Sequence, residues 1–191
     1  MALDNMGEDS DDALIARVSA GDTRAAQALT LRLAPRVYAH ATRLLGDAAE
    51  AEDVTQEALL KLWRIAPDWQ PGRAQASTWL YRVTANLCID RLRRRRPAAL
   101  DEAPEPQDAT PPVTERLTEA ARARALDQAL AALPERQRQA VVLKHLEGLP
   151  TERVAEIMDI GPRAAESLIA RGKRALTARL AGLRKELGYD D

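Results

Sequence analysis

Three stretches of this chain carry side chains that could do chemistry. In the first, AEDVTQEALLKLWR, the residues Glu52, Asp53, Gln56, Glu57 and Lys61 share the polar side of a helical pattern. Paired carboxylates can act as acid and base. These, however, occupy the first turns of an amphipathic helix with no His or Cys nearby in sequence, so a solvated or partner-binding face suits them better than catalysis. In the second stretch, Trp79, Arg82, Asn86, Asp90 and Arg93 recur every three or four residues, which puts them on one side of a helix. The Asn86 amide can donate to and accept from a base edge, while Trp79 and Arg82 offer a π face and a guanidinium to an unstacked base. Trp79 could equally be core, and Asn86 an ordinary surface residue. The arginines at 93–96, Arg93 and Arg94 first among them, suit either phosphate contact or the negative end of a helix dipole.

The third stretch, residues 148–176, has the order of a DNA-reading helix-turn-helix. Val154, Ala155 and Met158 are placed to pack against Ile160, Ala165, Leu168 and Ile169, leaving Arg163, Ser167, Ala170, Arg171 and Arg174 on the opposite face. Those arginines could pair with guanine edges or phosphates, or simply form the solvated face of a bundle. Glu166 lowers the basic character of the face, although a carboxylate can accept from a cytosine amino group. Nothing else in the chain reads as catalytic. His40 and His145 are isolated and unspaced for a metal, Cys88 is the single cysteine, and neither a GxxxxGK[ST] loop nor a GxSxG elbow occurs. The sequence therefore points to no enzyme, no cofactor and no metal site.

The elements that must position these residues follow from composition and punctuation. With 30% charged residues, 3% aromatic residues and no Phe, the chain favours helices with an aliphatic core and excludes an all-β fold. Its 28 Lys and Arg balance 29 Asp and Glu overall but not locally. After the arginine run comes PAALDEAPEPQDATPPVT, with five prolines and the acids Asp101, Glu102, Glu105 and Asp108, which reads as an extended linker. The chain thus divides into a tail at 1–9, a helical module at 10–97, a linker at 98–114 and a second helical module at 115–188, an all-α, two-domain architecture. The acidic start lacks the order of a signal peptide, and no apolar run approaches the roughly 18 to 20 residues of a spanning helix, which points to the cytoplasm and against direct membrane insertion.

In the first module, Ser10 begins a helix that Gly21 ends, and Asp22 or Thr23 caps the next, which Pro35 should break or kink. A helix after Asp47 buries Val54, Ala58, Leu62 and Ile65. Pro67, Pro71 and Gly72 then enforce a loop, after which Ser77 caps a long helix through Trp79, Leu80, Val83 and Leu87. In the second, a helix over 117–133 carries Leu126, Leu130 and Leu133, Pro134 starts another that Gly148 stops, and a turn at Asp159, Ile160 and Gly161 leads into a helix with Pro162 in its first turn.

These segments, in this order and with this linker, resemble an extracytoplasmic-function (ECF) sigma factor of bacterial RNA polymerase. AEDVTQEALLKLWR looks like the family's regions 2.1 to 2.2, STWLYRVTANLCIDRLRRRR like regions 2.3 to 2.4, and LPERQRQAVVLKHLEGLPTERVAEIMDIG with its following helix like region 4. The resemblance implies that Asp53, Gln56, Glu57, Lys61 and Trp63 dock on the clamp helices of core RNA polymerase. Trp79, Arg82, Asn86, Arg93 and Arg94 would bind the minus 10 element, Asn86 holding a flipped base with help from the loop over 68–75. Arg163, Glu166, Ser167, Arg171 and Arg174 would read the minus 35 element, with region 4 also on the polymerase flap. It further implies an anti-sigma factor as partner, a stress or envelope response, and linker acids that mimic RNA in its exit path. Where the family often has a capping Ser, this chain has Pro150, so Thr151 is expected to take the cap. The rival readings are a conventional helix-turn-helix regulator that binds duplex DNA without polymerase, and an enzyme built on the carboxylates near Asp53.

Overall fold

A computed structural model of the chain describes residues 10–70, 75–95 and 119–186. Among these residues the regular structure is helical and contains no strand. The expected tail at 1–9, the linker at 98–114 with its acids, and Pro71 and Gly72 of the capture loop lie outside the described residues.

Local chemistry explains most helix ends. The Ser10 hydroxyl accepts from the Ala13 N–H at the start of α1 (Asp11–Ser19). The chain reverses at Gly21, and the Asp22 carboxylate accepts from the N–H groups of Arg24 and Ala25 to open α2 (Thr23–Leu45). Of the two outcomes expected at Pro35, a break or a kink, the break does not occur, since α2 runs on through it. The acceptor that loses its partner is the carbonyl of Leu31, whose residue is 69% exposed, so water can replace the missing bond. Asp47 caps α3 (Ala48–Ile65), which ends in a 3-10 turn at Ala66–Asp68. The next helix, α4 (Ala76–Arg95), begins one residue before Ser77, so Ser77 is not its cap. A carboxylate from a neighbouring helix acts at this end instead: the Ala76 N–H donates to Asp12 of α1 at 3.0 Å.

Val54, Ala58 and Leu62 are fully buried, as their spacing by four requires, whereas Ile65 is only partly covered. They meet Leu14, Ile15, Leu29, Leu33, Val37 and Leu80, or Ala41, Leu44, Ala85 and Cys88, in two adjoining clusters that hold α1 to α4 as one bundle.

In the second module α5 (Glu119–Ala131) ends two residues before the sequence suggests, and residues 117–118 of the expected helix lie outside the described residues. Pro134 precedes α6 (Glu135–Val141), which widens into a π-helical turn at Val142–Leu146, where the Glu147 N–H reaches back to the Val142 carbonyl at 2.9 Å. Gly148, at φ 70°, turns the chain into α7 (Thr151–Met158). Thr151 does not cap α7; Pro150 occupies the cap position and no side chain supplies the bond. Asp159 takes the left-handed conformation at φ 52°, and α8 (Pro162–Glu186) follows.

The modules also touch, α4 lying on α7 and α2 on α5 and α6. Tyr81 of α4 is buried in a cluster otherwise drawn from the second module, including Leu143, Val154, Ile157 and Met158. His40 of α2 stands edge-on to Tyr81 with ring centroids 5.1 Å apart. Burial, aided by Arg43, lowers the His40 pKa from 6.5 to about 3.

Two expectations follow from this packing. A Cβ on Gly172 of α8 would meet Val141 Cγ2 at 2.6 Å and the Gln137 carbonyl oxygen at 3.0 Å, whereas one on Gly182 meets nothing within 4 Å. Gly172→Ala should therefore destabilise the chain by about 1–2 kcal/mol in urea unfolding despite the better helix former, and Gly182→Ala should stabilise it by up to about 1 kcal/mol. For His40, the unfolded chain takes up a proton near pH 6.5 that the folded chain refuses until about pH 3. Its contribution is thus complete above about pH 6.5 and lost as pH falls toward 3, at roughly 1.4 kcal/mol per pH unit. His40→Leu should flatten the stability profile across that window, and urea titrations at fixed pH values between 7 and about 4 test it.

Candidate nucleic-acid interface

On α3 the buried stripe fixes which side chains point outward. Asp53 and Gln56 are exposed, and Glu57 and Lys61 are half-buried beside them. Glu57 pairs with Lys61 at 3.5 Å along the helix, and Arg91 of α4 reaches Asp53 at 3.5 Å and Glu57 at 3.7 Å. Trp63, seven residues on from Gln56, borders the same side but packs against the core cluster and is only partly exposed. Sequence reading passed over Leu60, which is 56% exposed on the same outer side as Asp53 and Gln56. The signal was present, since Leu59, Leu60 and Leu62 are one leucine more than the inward stripe can use.

α4 carries the second set. Asn86 and Asp90 are exposed one turn apart, and Arg93 and Arg94 are exposed at the helix end. Arg95 instead ties α4 to the start of α3, through Glu50 at 2.6 Å and Asp47 at 3.3 Å. Trp79 answers to both of its readings, being packed on the core, edge-on to Trp69 at 6.4 Å between centroids, with part of its surface still open. Arg82 is not available in this arrangement. Its guanidinium donates to the Glu156 carbonyl of α7 at 2.6 Å, and its Nε is buried without a partner. Cys88 sits behind this face, fully buried, and burial pushes its thiol up to about 12, so it is a packing residue with negligible thiolate near neutral pH.

On the second module, Val154, Ala155, Ile157 and Met158 of α7 close on Ala165 and Ile169 of α8, with Ile160 and Leu168 at the margin. That packing leaves Arg163, Glu166, Ser167, Ala170, Arg171 and Arg174 exposed together on α8. Arg171 Nε donates to the Ser167 carbonyl at 3.3 Å, which holds its guanidinium along the helix. Among the described residues no group of three or more His, Cys, Asp or Glu side chains gathers as for a metal, and no helix is long and apolar enough to cross a membrane.

An α-helical bundle with an exposed Asn and Arg helix, followed by a helix-turn-helix with an exposed arginine face, defines a two-module DNA-binding protein. The Sigma-70 region 2 family matches residues 29–98, and the Sigma-70, region 4 family matches residues 123–176. The RNA polymerase sigma-H factor of Pseudomonas aeruginosa is 31% identical over 191 residues, covering 94% of this chain and 98% of its own. The ECF RNA polymerase sigma factor SigE of Mycolicibacterium smegmatis is 38% identical over 152 residues, covering 78% of this chain, which spans 58% of that relative's length. Among solved structures, CnrH, determined in complex with the cytosolic domain of CnrY, superposes with a TM-score of 0.69 at 26% identity, over 91% of this chain and 99% of that one. The sigma factor RpoE of Bartonella quintana, determined with the anti-sigma factor NepR, shares the fold at a TM-score of 0.62 and 21% identity, over 80% of this chain and 94% of that one. The chain belongs to the ECF sigma factors of bacterial RNA polymerase. The alternative of a helix-turn-helix regulator acting without polymerase is not favoured, because it leaves the match of the first module to region 2 without a cause.

Proposed function

We propose that this chain brings core RNA polymerase to a subset of promoters from the cytoplasm and helps open them, with no catalysis of its own, in the manner its family membership implies. The observation that carries the reading is the exposure of Asn86 on α4, in line with the exposed Arg93 and Arg94 and beside the partly open Trp79. An amide on a rigid helix, next to an aromatic face and a basic helix end, can hold a base that has left the stack while phosphates anchor the strand. The modules at 10–97 and 115–188 are read as the minus 10 and minus 35 binding domains. Two modest DNA contacts become selective when tethered and held on one polymerase.

The outer side of α3, with Asp53, Gln56, Glu57 and Lys61, is the surface proposed for the clamp helices, and Leu60 gives it an apolar centre. Trp63 contributes from its partly exposed edge. Arg163, Glu166, Ser167, Arg171 and Arg174 of α8 form the proposed minus 35 reader. A cognate anti-sigma factor is the natural third partner, in keeping with the Bartonella quintana sigma factor held by the anti-sigma factor NepR, and the acids of the linker are assigned to the RNA exit path.

Charge reversal at both Asp53 and Glu57 should weaken binding to core polymerase by at least about tenfold, about 1.4 kcal/mol, with helicity by circular dichroism unchanged, because the helix is held by Val54, Ala58 and Leu62. Unaltered affinity removes this side of α3 from the interface. Asn86→Ala should impair promoter opening more than duplex binding. The loss of a base-edge pair, about 1–3 kcal/mol, should depend on base identity at one minus 10 position. Arg93 and Arg94 substitutions should instead weaken binding on all sequences and flatten its salt dependence. Permanganate footprints on a matched promoter and on one altered in that element separate the two behaviours. Equal loss on both promoters means that Asn86 reads no base.

A further inference from the structure

The first turn of α1 carries two adjacent carboxylates, Asp11 and Asp12, and the function described above uses neither. At a helix N-terminus such acids ordinarily steady their own helix. Here the Ser10 hydroxyl already serves that end, and both acids reach to other helices. Asp11 Oδ1 accepts from Arg32 Nη1 of α2 at 3.0 Å, and its Oδ2 lies 3.9 Å from Arg36 Nη1. Asp12 Oδ1 accepts from the Ala76 N–H of α4, also at 3.0 Å. One turn of α1 is thereby tied to α2 by one carboxylate and to α4 by the next.

The tie to α4 falls at its very start. The Gln75 carbonyl accepts the first bond of that helix, from the Trp79 N–H at 3.1 Å, so Gln75 stands at the cap position and Ala76 opens the helix proper. Ser77 already lies inside it, and Asp12 supplies both an acceptor and a negative charge at this end. The apolar side of α1 reinforces the tie. Leu14 and Ile15 are buried in the cluster that holds Ala66 of the 3-10 turn, Ala76 and Leu80, with Trp69 and Trp79 packed against it. α1 therefore braces the chain on both sides of residues 71–74, and with it the edge-on Trp69 and Trp79 pair.

Leverage extends this brace to the DNA-facing residues. The other end of α4 is fixed by Arg95, through Glu50 at 2.6 Å and Asp47 at 3.3 Å. At about 1.5 Å per residue, Ala76 lies about 28 Å from Arg95, Trp79 about 24 Å and Asn86 about 14 Å. With Arg95 as pivot, a shift of about 1 Å at Ala76 moves Trp79 by about 0.8 Å and Asn86 by about 0.5 Å. A site made of an amide and an aromatic face works only when both are held to about 0.5 Å.

We propose that Asp12 is a positioning residue for promoter opening: by holding the Ala76 N–H it sets the entry end of α4, and so the placement of Trp79 and Asn86 against a displaced base. This role rests on the minus 10 reading of α4. Asp12 meets no DNA in it and acts only through that helix, with Asp11 keeping α1 seated on α2.

The test uses holoenzyme reconstituted from the full chain and core polymerase. Permanganate footprints of the melted region are compared on a promoter matched in its minus 10 element and on one altered at the base that the wild type discriminates. Asp12→Ala should lower opening on the matched promoter about fivefold, the size of one lost cap bond, with core affinity unchanged. It should also bring the matched-to-altered ratio about threefold or more closer to one, because a loosened site discriminates less. Asp12→Asn keeps an oxygen acceptor at the same reach and should hold the ratio within about twofold of wild type. Gly172→Ala, destabilised in the second module, should leave the ratio unchanged and so controls for stability. An Asp12→Ala chain that melts earlier but discriminates like wild type overturns the proposal, as does Asp12→Asn failing as badly as Asp12→Ala. Equal loss of opening on both promoters in Asn86→Ala is a different failure: it removes the minus 10 reading of α4 and this role with it.

Discussion

A guanidinium withdrawn from water needs its hydrogen bonds back, and Arg138 recovers them at both terminal nitrogens, its buried Nε having no partner among the described residues, in a way that organises both modules. It is 9% exposed, and no carboxylate lies among its hydrogen-bond partners. Its Nη1 donates to the Leu44 carbonyl at 2.5 Å, and its Nη2 to the carbonyls of Ala131 at 2.5 Å and Leu133 at 3.3 Å. Leu44 and Ala131 stand in the last turns of α2 and α5, where carbonyls lack helical partners and the helix dipoles are negative. The charge is thus solvated by helix ends, and the helix ends are satisfied by the charge. Burial lowers its pKa and nearby Glu135 opposes this, but a guanidinium stays ionised in any case. Because the donors are fixed in one plane, α2, α5 and α6 are fixed with them.

The surfaces assigned to partners are consequences of this kind of anchoring rather than independent features. α3 shows Asp53, Gln56 and Leu60 to the outside because Val54, Ala58 and Leu62 are fully buried. α4 shows Asn86 because Leu80, Ala85 and Cys88 are buried behind it and because Asp12 and Arg95 pin its two ends. A buried thiol pushed up to about 12 also leaves Cys88 with little thiolate near neutral pH, in keeping with its place in the packing behind α4.

Much of this could be read in the sequence, for a physical reason. Caps and stripes are local: Ser10, Asp22 and Asp47 act within three residues, and the stripes of α3 and α8 repeat within one or two turns. The outward set on α8 was legible for the same reason. What escaped reading is non-local. Pro35 is tolerated because of where Leu31 faces, and Ser77 is displaced as a cap by Asp12, 64 positions away. Arg82 falls on the right side of α4 by periodicity, but its partner is a backbone carbonyl 74 positions on, which has no side-chain signature at all. Tyr81 and Glu147 are 66 positions apart and Arg43 and Glu147 are 104 apart, so no window of sequence contains either pair.

The π-helical turn before Glu147 bears on how the contact of Glu147 with Arg43 and Tyr81 can change through evolution. A π turn is equivalent to an α-helix with one residue inserted, and each residue of an α-helix advances the direction of the next side chain by about 100°. Removal of one residue from Val142–Leu146 would restore an ordinary helix and swing Glu147 about a quarter-turn away from Arg43 and Tyr81, with the core of α6 left in place. A one-residue length difference in this short segment is therefore a switch of contact partner rather than a neutral indel. Sister sequences that differ by one residue across it therefore turn a different side chain toward the first module.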